Sequence, residues 1–541
     1  MKIIRLIVLL ALGIGVGFGV LRWLGDGADT NEPYVSTLNR GIGSDPESID
    51  PHKARSTQAA EVLRDIGEGL VSYSPTMELV GGAAESWTIS EDGRTYTFKI
   101  RDNARWSNGD AVTADDFVFG LRRLVDPQTA AFYAQAIAAV ENAIEIFSGE
   151  MSTDQLGVSA PDSHTLLISL QQPTPYLLSL LTHPSTFPVH PASVQQHGAD
   201  FTKPENLLSN GAYKLVSWEA ASVLRLARND QYWNNAATSI DAVNYHVLTQ
   251  EMTELNRYRA GELEITGSVP ADSIKTIREQ YADQLHITPY LGVYFYGFNL
   301  SKPPFADNPQ LRQALSMAVD REALVEKIIG RGELPAYSWV PPGVNNYEPI
   351  RFSYADMSQD ERNATARRLY REAGYSDKNP AQIEIRYNTA DIQQRIALAI
   401  QAMWTEALGV ETTLINEEFQ VLLSNIRQAE VTQIFRSSWI GDYNDAHTFL
   451  NILKSGNPSN MPHFSNEVFD QRMQDAAEQT DLHKRRLFLE EAERVLLHEH
   501  PVIPLYFYVT KHLVSPQVQG WGDNVLDYHY SQHLSLATDP P

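Results

Sequence analysis

The sequence never repeats itself, and beyond one apolar run at its N-terminus it contains no low-complexity tract. A chain of 541 residues built this way outgrows a single hydrophobic core, because large cores stop growing and split. Two or three lobes are therefore expected. The composition suits a soluble globular protein, with 43% hydrophobic and 20% charged residues. The formal charge of −24, from 43 basic and 67 acidic side chains, argues against nucleic acid as a partner, since phosphate contacts need clustered Lys and Arg. The excess acid reads as solubility.

The chain has no cysteine, which removes disulfides, thiolate metal sites, Cys nucleophiles and lipid attachment at a mature N-terminal Cys. Lys2 and Arg5 precede an apolar run from Leu6 to Leu21, and Arg22, Asp26 and Asp29 return the chain to polar sequence. This is an export signal. Residues 1–30 are expected to act as a signal peptide or as an uncleaved inner-membrane anchor, and the bulk of the chain is expected in the periplasm.

Three zones follow. In the first, Thr95, Thr97 and Lys99 alternate with Tyr96, Phe98 and Ile100, as in a half-buried strand of a hairpin. Ser107-Asn108-Gly109-Asp110 makes a turn, and Thr113 with Asp116 forms a capping box for a helix striped by Phe117, Leu121 and Leu124. The middle zone, 211–289, reads as strands and turns. In the third, Asn308 caps a helix that has Pro309 at its first position, and Asp320 caps the next, which ends at Gly330. A β-α-β-α-β run follows: a strand through Ile383, Ile385 and Tyr387, a helix capped by Asp391 and stopped by Gly409, a strand through Val410, Thr412 and Leu414, a helix over 419–428, and a strand around 432–437. In such sheets ligands gather beyond the carboxyl ends of the strands, here at Trp439-Ile440-Gly441-Asp442-Tyr443-Asn444.

Signatures of catalysis are missing: no P-loop, no dinucleotide glycine fingerprint, no Gly-x-Ser-x-Gly elbow. His498-Glu499-His500 spaces its histidines for opposite sides of a helix and reads as a solvated helix end before Pro501. His52, His183 and His447 have no acid at a recognisable spacing. No enzyme activity, cofactor or metal is expected.

Several stretches resemble one family. They are Ser48-Ile49-Asp50-Pro51-His52-Lys53; Ala84-Glu85-Ser86-Trp87 through Tyr96-Thr97-Phe98-Lys99-Ile100-Arg101 to Trp106-Ser107-Asn108-Gly109 and Val112-Thr113-Ala114-Asp115-Asp116-Phe117; His183-Pro184-Ser185-Thr186; Tyr232-Trp233-Asn234-Asn235-Ala236; Lys302-Pro303-Pro304-Phe305; and Asp442-Tyr443-Asn444. Together they resemble the solute-binding proteins of oligopeptide ABC transporters, nearer the oligopeptide and murein-peptide binders than the dipeptide or nickel binders. The resemblance covers nearly everything after about residue 34. It implies an α/β, three-lobed periplasmic-binding-protein-like fold with mixed sheets and a ligand cleft between lobes I and III. Lobe I would be 34–67, 192–293 and 510–541, lobe II 68–191, and lobe III 294–509.

The resemblance also implies a mechanism. A short peptide binds as an extended strand, is enclosed, and is delivered to the permease subunits of an ABC transporter in the inner membrane. The protein is expected to act as a monomer. Main-chain hydrogen bonds would come from strands at Arg55-Ser56-Thr57 and Ser438-Trp439-Ile440, giving affinity without sequence discrimination. Asp442 would hold the peptide's α-ammonium, which cannot be buried unpaired. Arg436 and Arg427 match basic positions that take the C-terminal carboxylate, for which a guanidinium fork is suited. Tyr133, Tyr508 and Trp439 sit at or beside aromatic contact positions. Gln393 and Ile329 depart from the family's His and Lys. Arg55 stands where the family is acidic, and so points to an acidic or murein-derived ligand. A membrane-anchored sensor or chaperone-like binder would share the cleft without a transport role. A secreted hydrolase would need a catalytic set the sequence lacks, and a heme or nickel carrier would not turn Asp442 inward.

Overall fold

The computed structural model describes residues 35–429 and 432–537. The N-terminal signal or anchor lies outside these residues. Among the described residues no helix is long and apolar enough to cross a membrane. The fold described below belongs to one compact unit, Thr37–Pro541.

The first sheet has four strands, in the order Thr37–Gly41, Ala242–His246, Val223–Arg228, Tyr213–Glu219. The first pair is parallel and the others antiparallel. Helix Thr57–Ile66 buries Ala59, Val62, Leu63 and Ile66 in the core that also holds Leu38, Tyr213, Leu224 and Tyr245. A second, antiparallel sheet runs Ala84–Ile89, Thr95–Ile100, Thr165–Ser169, Val158–Asp162. Its inward residues Tyr96, Phe98 and Ile100 meet Phe117, Leu121 and Leu124 of helix Ala114–Val125, whose start carries the Thr113–Asp116 capping box.

The third sheet has six strands, ordered Leu334–Pro335, Val502–Leu513, Leu285–Phe298, Ile434–Ile440, Gln382–Asn388, Glu411–Glu417. The last three are parallel and flanked by helices Asp391–Leu408 and Phe419–Gln428, as the β-α-β-α-β pattern requires. The long strands Leu285–Phe298 and Val502–Leu513 join two cores. Leu513 lies in a small cluster with Leu255, Tyr258 and Ile277, whereas Val293–Phe298 and Val502–Phe507 lie in the largest one. Between these ends the ladder breaks: Pro289 pairs with Val509, and the next pair is Val293 with Phe507. The residues left over bulge outward, and bulges re-aim side chains beside binding sites.

Three expectations need correction. The middle zone is not all strand: helices Glu251–Arg259 and Ile274–Gln280 lie within it. Asp391 opens its helix as the first helical residue while Ala390 holds the cap position. The helix end at 498–500 is not wholly solvated, because His500 is 4% exposed and stacks on Phe352, with burial lowering its imidazole to about 3.

Candidate functional site

A cavity of about 1060 Å³ opens between the first and third sheets. It lies just above the usual range for small-molecule pockets, about 300–1,000 Å³. One wall comes from the start of helix Thr57–Ile66, a second from 439–442, and a third from Phe132, Tyr133 and His183–Ser185; the bulge at Tyr290 and Leu291, together with Tyr508–Thr510 and Leu526–His529, closes the end.

Asp442 follows the carboxyl end of strand Ile434–Ile440 and faces this cavity. The local chain is held from both sides. The Gly441 N–H donates to Leu291 O at 2.7 Å, and Asp445 forms a fork with Arg485 at 2.7 and 2.9 Å. Two acids three residues apart thus have opposite fates. The Arg485 guanidinium holds Asp445 below the usual carboxylate range despite burial. Asp442 has no hydrogen bond and no ion pair among the described residues, and burial alone raises its carboxyl to about 6. Tyr133, on another wall of the same cavity, is raised to about 12 by burial and by the Asp442 charge.

Strand Ile434–Ile440 offers an open edge. It pairs with Gln382–Asn388 only at Ile434 and Phe435, and with Leu285–Phe298 along its whole length. Gly441 donates inward to Leu291, so strand alternation turns the main-chain groups of Trp439 and Ser437 inward too. Those of Ile440, Ser438 and Arg436 face the open edge. Trp439 and Ile440 line the cavity; the indole N–H of Trp439 donates to Thr448 Oγ1 at 3.3 Å. Tyr508 also lines it, packed edge-on to Tyr294 and Tyr506.

The expected second strand at Arg55-Ser56-Thr57 is not one. Ser56 is the N-cap of helix Thr57–Ile66, its Oγ accepting from the Ala59 N–H at 3.1 Å, and Thr57 is already helical. The Glu47 carboxylate takes the N–H groups of Arg55 and Ser56 and the Ser56 hydroxyl. Cap formation wins because it satisfies helix donors that a lone extended segment leaves orphaned. All three residues still line the cavity, with the exposed Arg55 guanidinium over Phe132.

Arg436 is half-buried over the Tyr294 ring, 5.2 Å from its centroid, and its Nε is buried without a hydrogen-bond partner. It has no carboxylate partner among the described residues. It shares a strand face with Ser438 and Ile440, though it is not on the cavity wall. Arg427 is exposed in the last turn of helix Phe419–Gln428, and it too is off the cavity wall. Gln393 is buried and accepts from the Tyr294 hydroxyl; Ile329 is buried in the core.

Several wall residues had no assigned role in the sequence reading: Arg64, Tyr290, Glu254, His512, Asp527, Tyr528 and His529. Most belong to the C-terminal strand and tail, and no local motif marks them. Among the described residues, His512, Asp527 and His529 are the one group compact enough to hold a metal. Their donors are already committed. His512 Nδ1 gives its hydrogen to Thr266 O at 2.7 Å, and Asp527 Oδ1 accepts from His512 Nε2 at 2.9 Å and from His529 Nε2 at 3.1 Å. Against its burial, the Asp527 carboxylate raises His512 to about 9, so the cluster is an ion pair tying the tail to strand Val502–Leu513.

Residues 78–461 match the family described as bacterial extracellular solute-binding proteins, family 5. The chain is 36% identical over 505 residues to the periplasmic oligopeptide-binding protein OppA of Escherichia coli K12, covering 93% of this chain and 92% of that protein. It is also 36% identical over 496 residues to a protein of the same organism named "Probable deoxycholate-binding periplasmic protein YgiS", covering 91% and 92%. A solved structure titled as the unliganded open form of the periplasmic murein tripeptide binding protein MppA superposes with a TM-score of 0.84 at 37% identity, covering 93% of this chain and 97% of that one.

Proposed function

Because the chain belongs to family 5 of the bacterial extracellular solute-binding proteins, we propose that it captures short peptides in the periplasm and hands them to an ABC-type permease, as a monomer and without catalysis. One observation carries the choice of ligand: the carboxylate of Asp442 on the cavity wall, raised to about 6 and without a cation among the described residues. Leaving such an anion unpaired is costly, and a peptide's α-ammonium is its complement. A steroid acid such as deoxycholate brings a second carboxylate to the same place and is disfavoured there.

The open edge supplies the rest. An extended peptide with its amino terminus at Asp442 runs antiparallel to Ile434–Ile440 and exchanges main-chain hydrogen bonds with Ile440 and Ser438. From Ile440 to Arg436 the strand advances about 14 Å, roughly four extended residues. A ligand of three to five residues thus brings its carboxylate toward Arg436, which has no carboxylate partner among the described residues. The proposed route differs from a two-sided zip, since Glu47 already takes the Arg55 and Ser56 N–H groups.

Calorimetry with Ala-Ala-Ala and its N-acetylated form tests this reading. The free tripeptide is expected to bind, and acetylation to cost at least about thirtyfold, the loss seen when one partner of a desolvated charge pair is removed. Equal affinities for the two would end the reading.

A further inference from the structure

Arg64 stands out on the cavity wall. It lies in the last turn of helix Thr57–Ile66, half-buried, with its guanidinium carbon 3.6 Å from the ring centroid of Tyr528. A guanidinium has five N–H donors and no way to shed its charge. None of the five meets an acceptor among the described residues, and Nε is buried. The nearby acids are engaged elsewhere: Glu61 pairs with Arg40 at 2.6 Å, and Asp527 serves His512 and His529. The guanidinium rests on the Tyr528 ring. A cation so held is preorganised for a planar, two-oxygen partner.

Its position suggests which partner. Arg64, Tyr528, Tyr133 and Asp442 all line the one cavity, with the Arg64 guanidinium on the Tyr528 ring. The Arg64 fork and the Asp442 carboxylate therefore face the same ligand space. A peptide seated by its ammonium at Asp442 brings the side chains of its first residues there.

We propose that Arg64 is a specificity subsite for a side-chain carboxylate in the first or second residue of the ligand, so that the protein selects acidic peptides. This rests on the peptide reading above. It also assigns the preference to Arg64 rather than to Arg55, which is exposed and stacked on Phe132.

The test is calorimetry at pH 7.5 with Glu-Ala-Ala, Ala-Glu-Ala, Ala-Gln-Ala and Ala-Lys-Ala. For the unaltered protein, at least one glutamate peptide is expected to bind tenfold or more tighter than Ala-Gln-Ala, and Ala-Lys-Ala weakest. In Arg64→Gln the glutamate preference is expected to fall below about twofold while Ala-Gln-Ala changes little. Arg64→Lys should keep part of the preference, and Arg55→Gln most of it. If Arg64→Gln does not fold, the glutamate-to-glutamine ratio of the unaltered protein and of Arg64→Lys still decides. A ratio near one in the unaltered protein, or a ratio that survives in Arg64→Gln, overturns the Arg64 subsite and leaves peptide binding standing. Failure of all four peptides to bind would overturn both.

Discussion

Asp442 gives the residue scale its sharpest consequence. Its folded carboxyl sits near 6, above the 3.8 of the unfolded chain, so the native state holds that proton more tightly than the unfolded state does. Between pH 3.8 and 6 the unbound protein gains stability as the proton is taken up, and above about 6 the penalty of the buried charge is fully present. Asp442→Asn is therefore expected to raise the unfolding midpoint at pH 7, to give roughly half that gain at pH 5 and almost none at about pH 3, and to lose peptide binding: stability rises as function goes. Ligand affinity has the opposite pH dependence. An α-ammonium needs the ionised carboxylate and its own proton, so affinity is expected to be level near pH 7, to fall about tenfold per unit below 6, and to fall again above about 8 as the free peptide's amino group deprotonates. Affinity that is level from pH 7.5 to 4.5 would mean the ammonium is held elsewhere. The local run Trp439-Ile440-Gly441-Asp442 made this residue legible, because a strand end and an acid are read from adjacent positions. Arg64 and Tyr528 were not legible, since their contact forms only when the C-terminal tail folds back over an early helix.

At the scale of elements, local pattern was most informative where one face is buried. The helix over Phe419–Gln428 and the strand over Thr95–Ile100 follow from their apolar period. Glu251–Arg259 was missed because Leu255 and Tyr258 are its only buried apolar residues among charged neighbours, too sparse a stripe to show a period. The segment at 55–57 was misread because its backbone follows a distant carboxylate and a helix cap rather than any alternation. The open edge of Ile434–Ile440 makes a paired prediction. A proline lacks the N–H and is tolerated where that group faces away from the sheet. Ser438→Pro should keep the unfolding midpoint within a few degrees and cost the ligand tenfold or more. Ser437→Pro removes an inward ladder bond and orphans its acceptor, and should destabilise the protein by about 1–3 kcal/mol. If both variants bind peptide normally, no strand is added at this edge. Gly292 makes a second test, since a Cβ there would lie 2.5 Å from Ile440 Cδ1 and 2.8 Å from Tyr508 Cδ2. Gly292→Ala must displace two cavity-lining side chains, and overpacking of this kind costs about 1–3 kcal/mol, read as a lower midpoint together with weaker binding.

For the whole molecule, the question is what the cavity does when filled. The sequence could show the sheets and their caps, but not that Leu285–Phe298 and Val502–Leu513 run from one core into another with a broken register between Pro289 and Val293. That break lies beside Tyr290, Leu291 and Tyr508, all on the cavity wall, so a ligand touches a stretch of the ladder that is not regularly paired. The wall that carries Arg64 belongs to the first core, and the wall that carries Asp442 is tied to the break through the Gly441–Leu291 hydrogen bond. A peptide held at both ends gains its full set of contacts only if these walls approach, and a ligand shifts an equilibrium by its difference in affinity for the two states. Small-angle scattering is therefore expected to show a smaller radius of gyration with saturating tripeptide. The unfolding free energy should rise by about 2.7 kcal/mol at a hundredfold excess over Kd. Asp442→Asn should show neither change at the same peptide concentration. Tight binding with an unchanged scattering profile would place the ligand on one wall alone and remove closure from the mechanism.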